Sequence, residues 1–522
     1  MNLPTLIFVL PLLAALGLVF VPRSLNVVMR GAAVFATLGS ALLAILMFLL
    51  FPGASADASG YKFVYQVPWV ETLGISYYVG VDGINVGLIL MAAIVAFASA
   101  CVSWEIKERQ KEFYILLLIM AGGILGAFAS LDLFFFYIFH EFALVPTFIM
   151  IGVWGRGERK NYATFQITLY LGIGSLLALV GLLALYAEAG ADTFSIPGLI
   201  EHLRQNPIAA RSQNFILPLL LFGFGILVSL WPFHTWAPLG YSSAPTATAM
   251  LHAGVLKKFG LYALIRVALP MLPVGAQQWM PFLAWLCLGN LVYCGWVAMR
   301  QKDFNWLAGY SSVAHMGFVF LGIASLNLIG VTGAVVVMVA HGFLAALTFG
   351  LNGYIYQQTG TLEMSRLGGL LKQMPFIGAV LMMAAFAGCG LPGFFNFVGE
   401  VGVLFGAWKP FPAVTVLACW GGLVVGAIYM LRAVRTVLHG PLNASCATVT
   451  DAPHLWRKLP FAMLVAGLLI FGFAPRLLTD KIVVPVEQQT LKGYQPGEHS
   501  SRRALQGPAD PAAGTGLAQT RP

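Results

Sequence analysis

Four ionisable side chains of this 522-residue sequence stand inside long apolar runs: Glu141, Lys257, Lys258 and Glu400. Five histidines, His140, His234, His252, His315 and His341, lie in similar surroundings. An ionisable group at hydrocarbon depth costs several kcal/mol unless it faces a cavity or a partner, so each marks a functional position by default. Carboxylates, amines and imidazoles strung along a membrane interior can pass protons from one to the next through water. Each also has a plainer reading. A lone histidine in a membrane helix is usually a structural hydrogen-bonder, and a lysine near a helix end snorkels to the interface. The apolar run 244–268 places both lysines near its middle, so at least one must face inward. Sequence neighbours project roughly 100° apart on a helix, so the two amines can hardly serve one path equally.

The elements that must hold these residues are membrane helices. Hydrophobic residues make up 59% of the chain and charged residues 9%, with a mean hydropathy of +0.84. Such a surface cannot face water, because soluble chains carry about a quarter of their residues as charges. Apolar runs near the ~20 residues a spanning helix needs recur throughout. A membrane β-barrel would show short alternating segments instead. The runs and breakers predict about fourteen spans, near 2–22, 31–51, 80–103, 113–130, 132–154, 163–187, 214–233, 241–268, 278–299, 304–325, 328–356, 375–395, 412–437 and 459–475. The opening segment has no Lys or Arg before its apolar stretch, which predicts a first span rather than a cleaved signal peptide. Residues 52–79 read as a polar-aromatic loop and 193–206 as a short amphipathic surface helix. From about 477 the chain reads as a polar, disordered tail.

Breakers fall in two places. Pro232, Pro238 and Pro245 interrupt 228–247, and Gly390, Pro392 and Gly393 interrupt the run before Glu400. Paired breaks in corresponding halves suggest inverted repeats with an ion path at the breaks. Orientation follows from Lys and Arg. With the N-terminus outside, inner loops carry sixteen: Arg23, Arg30, Lys107, Arg109, Lys111, Arg156, Arg159, Lys160, Arg300, Lys302, Arg366, Lys372, Arg432, Arg435, Arg457 and Lys458. Outer loops carry five, Lys62, Arg204, Arg211, Arg266 and Lys409. The positive-inside rule then puts both termini outside. The net charge of +9 is spread over short loops and does not suggest nucleic acid. The six cysteines form no C-x-x-C pair and read as buried thiols rather than metal or cluster ligands.

Several stretches carry a resemblance: SLDLFFFYIFHEFALVPTFIMIGVWG (130–155), WPFHTWAP (231–238), SAPTATAMLHAGVLKKFGLYALIR (243–266), LAGYSSVAHMGFVFLGI (307–323) and GLPGFFNFVGEVGVLFGAW (390–408). In this order they resemble the proton-pumping, antiporter-like subunits of respiratory complex I, nearest to the M-type subunit (mitochondrial subunit-4 type). The resemblance is close over roughly 80–440. It implies an all-α integral membrane fold, two inverted five-helix repeats at 113–268 and 278–440, with seventh and twelfth spans broken. Residues 1–112 would hold the first three spans, 441–476 the fourteenth, and 477–522 the tail. The resemblance implies a central hydrophilic axis along which protons cross, driven by quinone reduction elsewhere. It matches Glu141 to the family's fifth-span glutamate, which pairs with a seventh-span lysine. It matches Lys258 to the eighth-span lysine and Glu400 to the twelfth-span residue, glutamate in M-type members and lysine in L- and N-type ones. His315 and His341 match polar positions of the axis.

One departure stands out. The seventh-span lysine falls on Leu227, and no Lys or Arg occurs between Arg211 and Lys257. Lys257 is an extra amine, and His252 follows the L-type pattern. The preferred expectation is that Lys257 has become the partner of Glu141. The alternatives are that His234 or His252 does so, or that the subunit pumps poorly. The function implied is that of a proton-translocating membrane-arm subunit of an NADH–quinone oxidoreductase in a bacterial inner membrane, with no redox centre of its own. FMN, iron–sulfur clusters and quinone would belong to partner subunits, among them L-, N- and K-type chains. The rivals are a homologous subunit of a cation/proton antiporter, membrane hydrogenase or bicarbonate-uptake complex, and a non-conducting spacer.

Overall fold

Asp, Asn and Ser at the membrane boundary cap the starts of six of the described helices. In the computed structural model, which describes residues 2–494, Asn2 caps α1 (Leu3–Phe20) and α2 (Asn26–Leu50) follows. Residues 52–79, expected as a loop, instead form an antiparallel hairpin, β1 (Lys62–Val70) and β2 (Ile75–Val81), with Tyr65 opposite Val79 and Val67 opposite Tyr77. Its β-branched and aromatic residues favour that pairing, and the short spacing between strands hid it among turn residues. Asp82 caps α3 (Gly83–Val102) in a reciprocal box with Asn85. After α4 (Gln110–Ala129), Asp132 caps α5 (Leu133–Trp154) and also accepts the Ser76 amide at 3.0 Å, tying the hairpin to α5. Next come α6 (Lys160–Ala189) and the short amphipathic α7 (Ile196–Gln205), whose Leu199 and Leu203 are buried, as the periodicity predicts.

The first break comes after α8 (Ala210–Val228). Ser229, at φ +70°, turns the chain out of helical geometry, and residues 230–235 cross as extended chain and turns before α9 (Trp236–Ser243). Asn290 replaces the lost helical bonds. Its amide donates to the Ser229 carbonyl at 3.0 Å and accepts the Trp231 N–H at 2.9 Å. The expected span 241–268 therefore begins later, because 236–243 belongs to the broken element. Its helix, α10 (246–271), contains two π-helical turns, His252–Leu256 and Leu264–Ala268. Then follow α11 (Pro273–Arg300), α12 (Phe304–Ala324), capped by Asp303, and α13 (Leu328–Thr359), capped by Asn327.

The second break separates α14 (Pro375–Gly388) from α15 (Phe395–Trp408), so the expected span 375–395 holds one half-helix and the break, and Glu400 rides on a second half-helix beyond it. Gly390 (φ +66°) and Gly393 (φ +99°) make the turn, a conformation that costs a side-chain-bearing residue free energy. The chain continues through α16 (Pro412–Leu438), α17 (Leu455–Phe473) and α18 (Arg476–Pro485). The expected tail is thus corrected over 476–494, which folds back on the hairpin side: Arg204 donates to the Gln488 carbonyl and Tyr494 to the Leu269 carbonyl. The rest of that expectation, 495–522, lies outside the described residues.

Twelve of the described helices are long and apolar enough to cross a membrane. The interrupted α10 and the α14–α15 pair complete the bundle. Loops sort to two faces. The hairpin, α7, α18, Asn2 and the ends of α4 and α10 share one. The other carries the Arg23–Glu112 ion pair, the Trp154–Glu108 bond and the Arg156–Ser243 backbone bond. At the centre lies α13, buried throughout the window that would cross the membrane. Small residues let α15 press against it: a Cβ on Gly333 would meet the Val403 amide at 2.7 Å, and one on Gly399 the Val337 amide at 2.8 Å. This seam brings Glu400 to the central axis.

Candidate functional site

Glu400 projects from α15 into a region closed to solvent, its residue 1% exposed. Its Oε1 lies 3.7 Å from His315 Nε2 on α12. The other ring nitrogen, Nδ1, is 2.8 Å from the Ser311 carbonyl one turn earlier and donates to it, which leaves Nε2 as the face that can take a proton. The His315 and His341 rings stand 5.4 Å apart between centroids. His341 Nδ1, on α13, accepts from the Lys258 amine at 2.8 Å. Lys258 also donates to the Ala253 carbonyl inside the first π turn of α10. Four expected site residues thus form one buried line, Lys258–His341–His315–Glu400. Glu400 Oε2 has no protein partner among the described residues, nor do both polar atoms of Asn396, one turn away on the same face of α15. Buried polar atoms of that kind are places for ordered water.

Lys257 is also buried, but it points elsewhere. Its amine donates to Ser312 Oγ on α12 at 3.4 Å and sits 5.6 Å from the centre of the Tyr241 ring. His252 stacks on Trp236 with ring centroids 5.3 Å apart and meets Tyr241 edge-on at 5.4 Å. His234 lies in the first break, its Nδ1 3.2 Å from the Pro232 carbonyl and its Nε2 without a protein partner among the described residues.

Glu141 forms a separate group at the outer edge of the bundle, its side chain 27% exposed. It accepts from Ser175 Oγ on α6, which also bonds the Tyr137 hydroxyl at 2.7 Å. His140 Nδ1 lies 3.7 Å from the carboxylate, and the His140 ring stacks on Phe259 of α10 at 4.0 Å. The expected pairing of Glu141 with Lys257 is not formed: among the described residues neither lysine contacts Glu141. Consecutive side chains on α10 diverge, and beside Glu141 it is Phe259, stacked on His140, that α10 turns toward α5. Leu227 is buried near the end of α8, where Phe224 and Val228, not Leu227, are the residues beside Gly260 of α10.

Sequence reasoning missed Ser175, Ser311, Ser312, Tyr429 and Asn396. Hydroxyls and amides are frequent in membrane helices, and only proximity singles these out. It also misplaced Arg266. Counted as an outer-loop cation, Arg266 is 2% exposed and forms a two-pronged ion pair with Asp82, both contacts at 2.7 Å, with Tyr61, Tyr262 and Gln489 around it. A charge predicted eight residues beyond a mid-helix lysine could have been read as buried from the length of the run.

On the face opposite the hairpin, a cavity of about 350 Å3 is lined by Arg156, Glu158, Ser242, Asp303, Asn305 and Tyr356. Under it Asn352 donates to Asn305 at 3.0 Å. Asn352 lies three turns beyond His341 on the same side of α13.

These arrangements have close relatives. Residues 130–426 match the family described as NADH:quinone oxidoreductase/Mrp antiporter, TM. The chain is 35% identical over 490 residues to NADH-quinone oxidoreductase subunit M of Rhodobacter capsulatus, covering 92% of this chain and 95% of that one. It is 31% identical over 476 residues to NADH-ubiquinone oxidoreductase chain 4 of Chondrus crispus, covering 90% and 94%. A chain of respiratory complex I from Thermus thermophilus superposes with a TM-score of 0.83 at 29% identity, over 93% of this chain and 99% of that one. A chain of the Mrp complex from Dietzia has the same fold, with a TM-score of 0.81 at 18% identity over 94% and 99%. The chain therefore belongs to the NADH:quinone oxidoreductase/Mrp antiporter membrane family, among its subunit M and chain 4 members.

Proposed function

We propose that this chain is a membrane-arm subunit of an NADH–quinone oxidoreductase that carries protons across the membrane along Lys258, His341, His315 and Glu400. The observation that supports this most is the buried line of amine, two imidazoles and carboxylate, held by the four helices α10, α13, α12 and α15. Each member can take and release a proton, and none has a structural reason to be ionisable where a leucine would pack. Protons enter from the Asp303–Asn305 cavity, past Asn352, and leave through Glu400 toward the hairpin face. The Arg- and Lys-rich face then lies inside and residue 2 outside, in a bacterial inner membrane. Fourteen crossings result, counting each broken pair once, with two inverted halves at 113–268 and 278–440. In this scheme α4 and α11, which open the halves, run in opposite directions. Glu141, at the exposed edge, meets a neighbouring membrane-arm subunit of L-, N- or K-type and senses its state. NADH, FMN, iron–sulfur and quinone chemistry belong to other subunits.

The test is Glu400→Gln in the purified complex reconstituted in vesicles. Proton uptake per NADH oxidised collapses if the reading holds. Undiminished pumping, in a complex of normal composition, would assign the chain a scaffolding role. That second reading draws on Leu227, which leaves Glu141 with hydroxyls and His140 in place of an amine.

A further inference from the structure

The extra amine of α10 has a different task from the one its sequence position suggests. Lys257 and Lys258 are neighbours, but the roughly 100° between them sends their side chains to different helices. Lys258 reaches His341 on α13; Lys257 reaches Ser312 on α12. Both routes end at one imidazole. His341 stands beside His315, and Ser312 adjoins Ser311, whose carbonyl holds His315 Nδ1 at 2.8 Å. The Ser311 hydroxyl accepts from Tyr429 at 3.0 Å and lies 3.4 Å from His315 Nδ1, which sets a second hydroxyl beside the imidazole one residue before Ser312.

On its other side Lys257 faces the first break. Its amine stands over the ring of Tyr241 in α9, the helix that resumes after the break, 5.6 Å from the ring centre. In the non-helical stretch 229–235 His234 Nε2 is buried and has no protein partner among the described residues, and its ring is flanked by Tyr293 at 5.8 Å and Tyr310 at 6.3 Å. Tyr310 stacks on Trp306, which lines the Asp303–Asn305 cavity. Ser312 and Tyr241 are the groups that the Lys257 amine meets among the described residues. Glu141 is not among them.

We infer that Lys257 is the amine of a second, lateral branch of the relay, taking protons from the break on its Tyr241 side and passing them by Ser312 toward His315, and that it is not the partner of Glu141. The step is a proton transfer alone. The ammonium gives a proton to the Ser312 oxygen as that hydroxyl releases its own, through water, toward His315 Nε2, and the amine then recovers a proton from the side of the break. This inference rests on the proton-carrying role proposed above.

Double-variant combinations in the reconstituted complex separate the possibilities, because groups on one path are non-additive and groups on separate paths combine independently. Lys257→Leu is expected to lower protons moved per NADH oxidised, and Ser312→Ala to lower it by a similar factor. Their combination falls no further, and Ser312→Thr, which keeps the hydroxyl, pumps normally. Lys257→Leu combined with Glu141→Gln gives the product of the two losses. NADH oxidation by a soluble artificial acceptor reports assembly and stays unchanged. Lys257→His supplies a readout that packing alone would not move: pumping is retained, with its pH optimum shifted toward acid. The inference is overturned if Lys257→Leu pumps fully, or if its loss is non-additive with Glu141→Gln and additive with Ser312→Ala. If Glu400→Gln also pumps fully, the proton-carrying reading falls as well. If Glu400→Gln alone stops pumping, only the branch is wrong.

Discussion

Lys258 and His341 belong to separate helices, yet their nitrogens meet at 2.8 Å where neither residue is more than 2% exposed. An amine in such a place is tolerable only with acceptors, and it has two, the imidazole and the Ala253 carbonyl. His341→Leu removes one of them. The expected result is loss of proton pumping, together with a destabilisation of about 1–3 kcal/mol from the under-bonded amine. His341→Gln keeps an acceptor, so it recovers stability but not pumping. Thermal unfolding of the purified complex and proton uptake in vesicles report the two effects separately.

Gly390 and Glu400 share one small volume at the second break. A methyl group on Gly390 would overlap Glu400 Oε2, and the residue stands at φ +66°. Gly390→Ala is therefore expected to displace the carboxylate from His315 and to cost about 1 kcal/mol in backbone strain. Pumping falls steeply while the subunit stays in the complex. Normal pumping by this variant would mean that the carboxylate need not sit beside the break.

The Asp82–Arg266 pair joins the start of α3 to the outer end of α10, with Tyr61 of the hairpin segment and Gln489 of the C-terminal region bonded to the same guanidinium. Removing one member leaves a buried charge unpaired, which costs about 3–5 kcal/mol. Asp82→Ala is expected to reduce the amount of subunit in the assembled complex. The double change Asp82→Ala with Arg266→Met is expected to restore much of it. Immunoblots of the purified complex measure both. Equal losses in the single and double variants would show that the pair's charge balance is not what matters.

Glu141 is held by Ser175 and, through it, Tyr137, not by an amine. Ser175→Ala is expected to weaken pumping several-fold less than Glu141→Gln, because His140 remains beside the carboxylate. Adding Leu227→Lys is predicted to change the Glu141 response, since it returns an amine to the end of α8. If Leu227→Lys leaves the effect of Glu141→Gln unaltered, no amine at that place reaches Glu141.

The membrane class, most spans, the two breaks and the four costly charges were determined by the sequence alone. Hydropathy and breakers act locally, and a Glu or Lys inside an apolar run is conspicuous without knowing its neighbours. The axial residues Lys258, His315, His341 and Glu400 were likewise legible, and the fold brings them into line. Tertiary structure decided the rest. Which helix Lys257 faces depends on a π turn one step before it in α10, which no periodicity reveals. Arg266 reads as a loop cation until Asp82, 184 residues earlier in the chain, is seen to pair with it. The hydroxyls of Ser175, Ser311, Ser312 and Tyr429 acquire meaning only through what they touch. Composition and periodicity fix what must leave water; which polar atoms then meet depends on contacts between helices far apart in the chain.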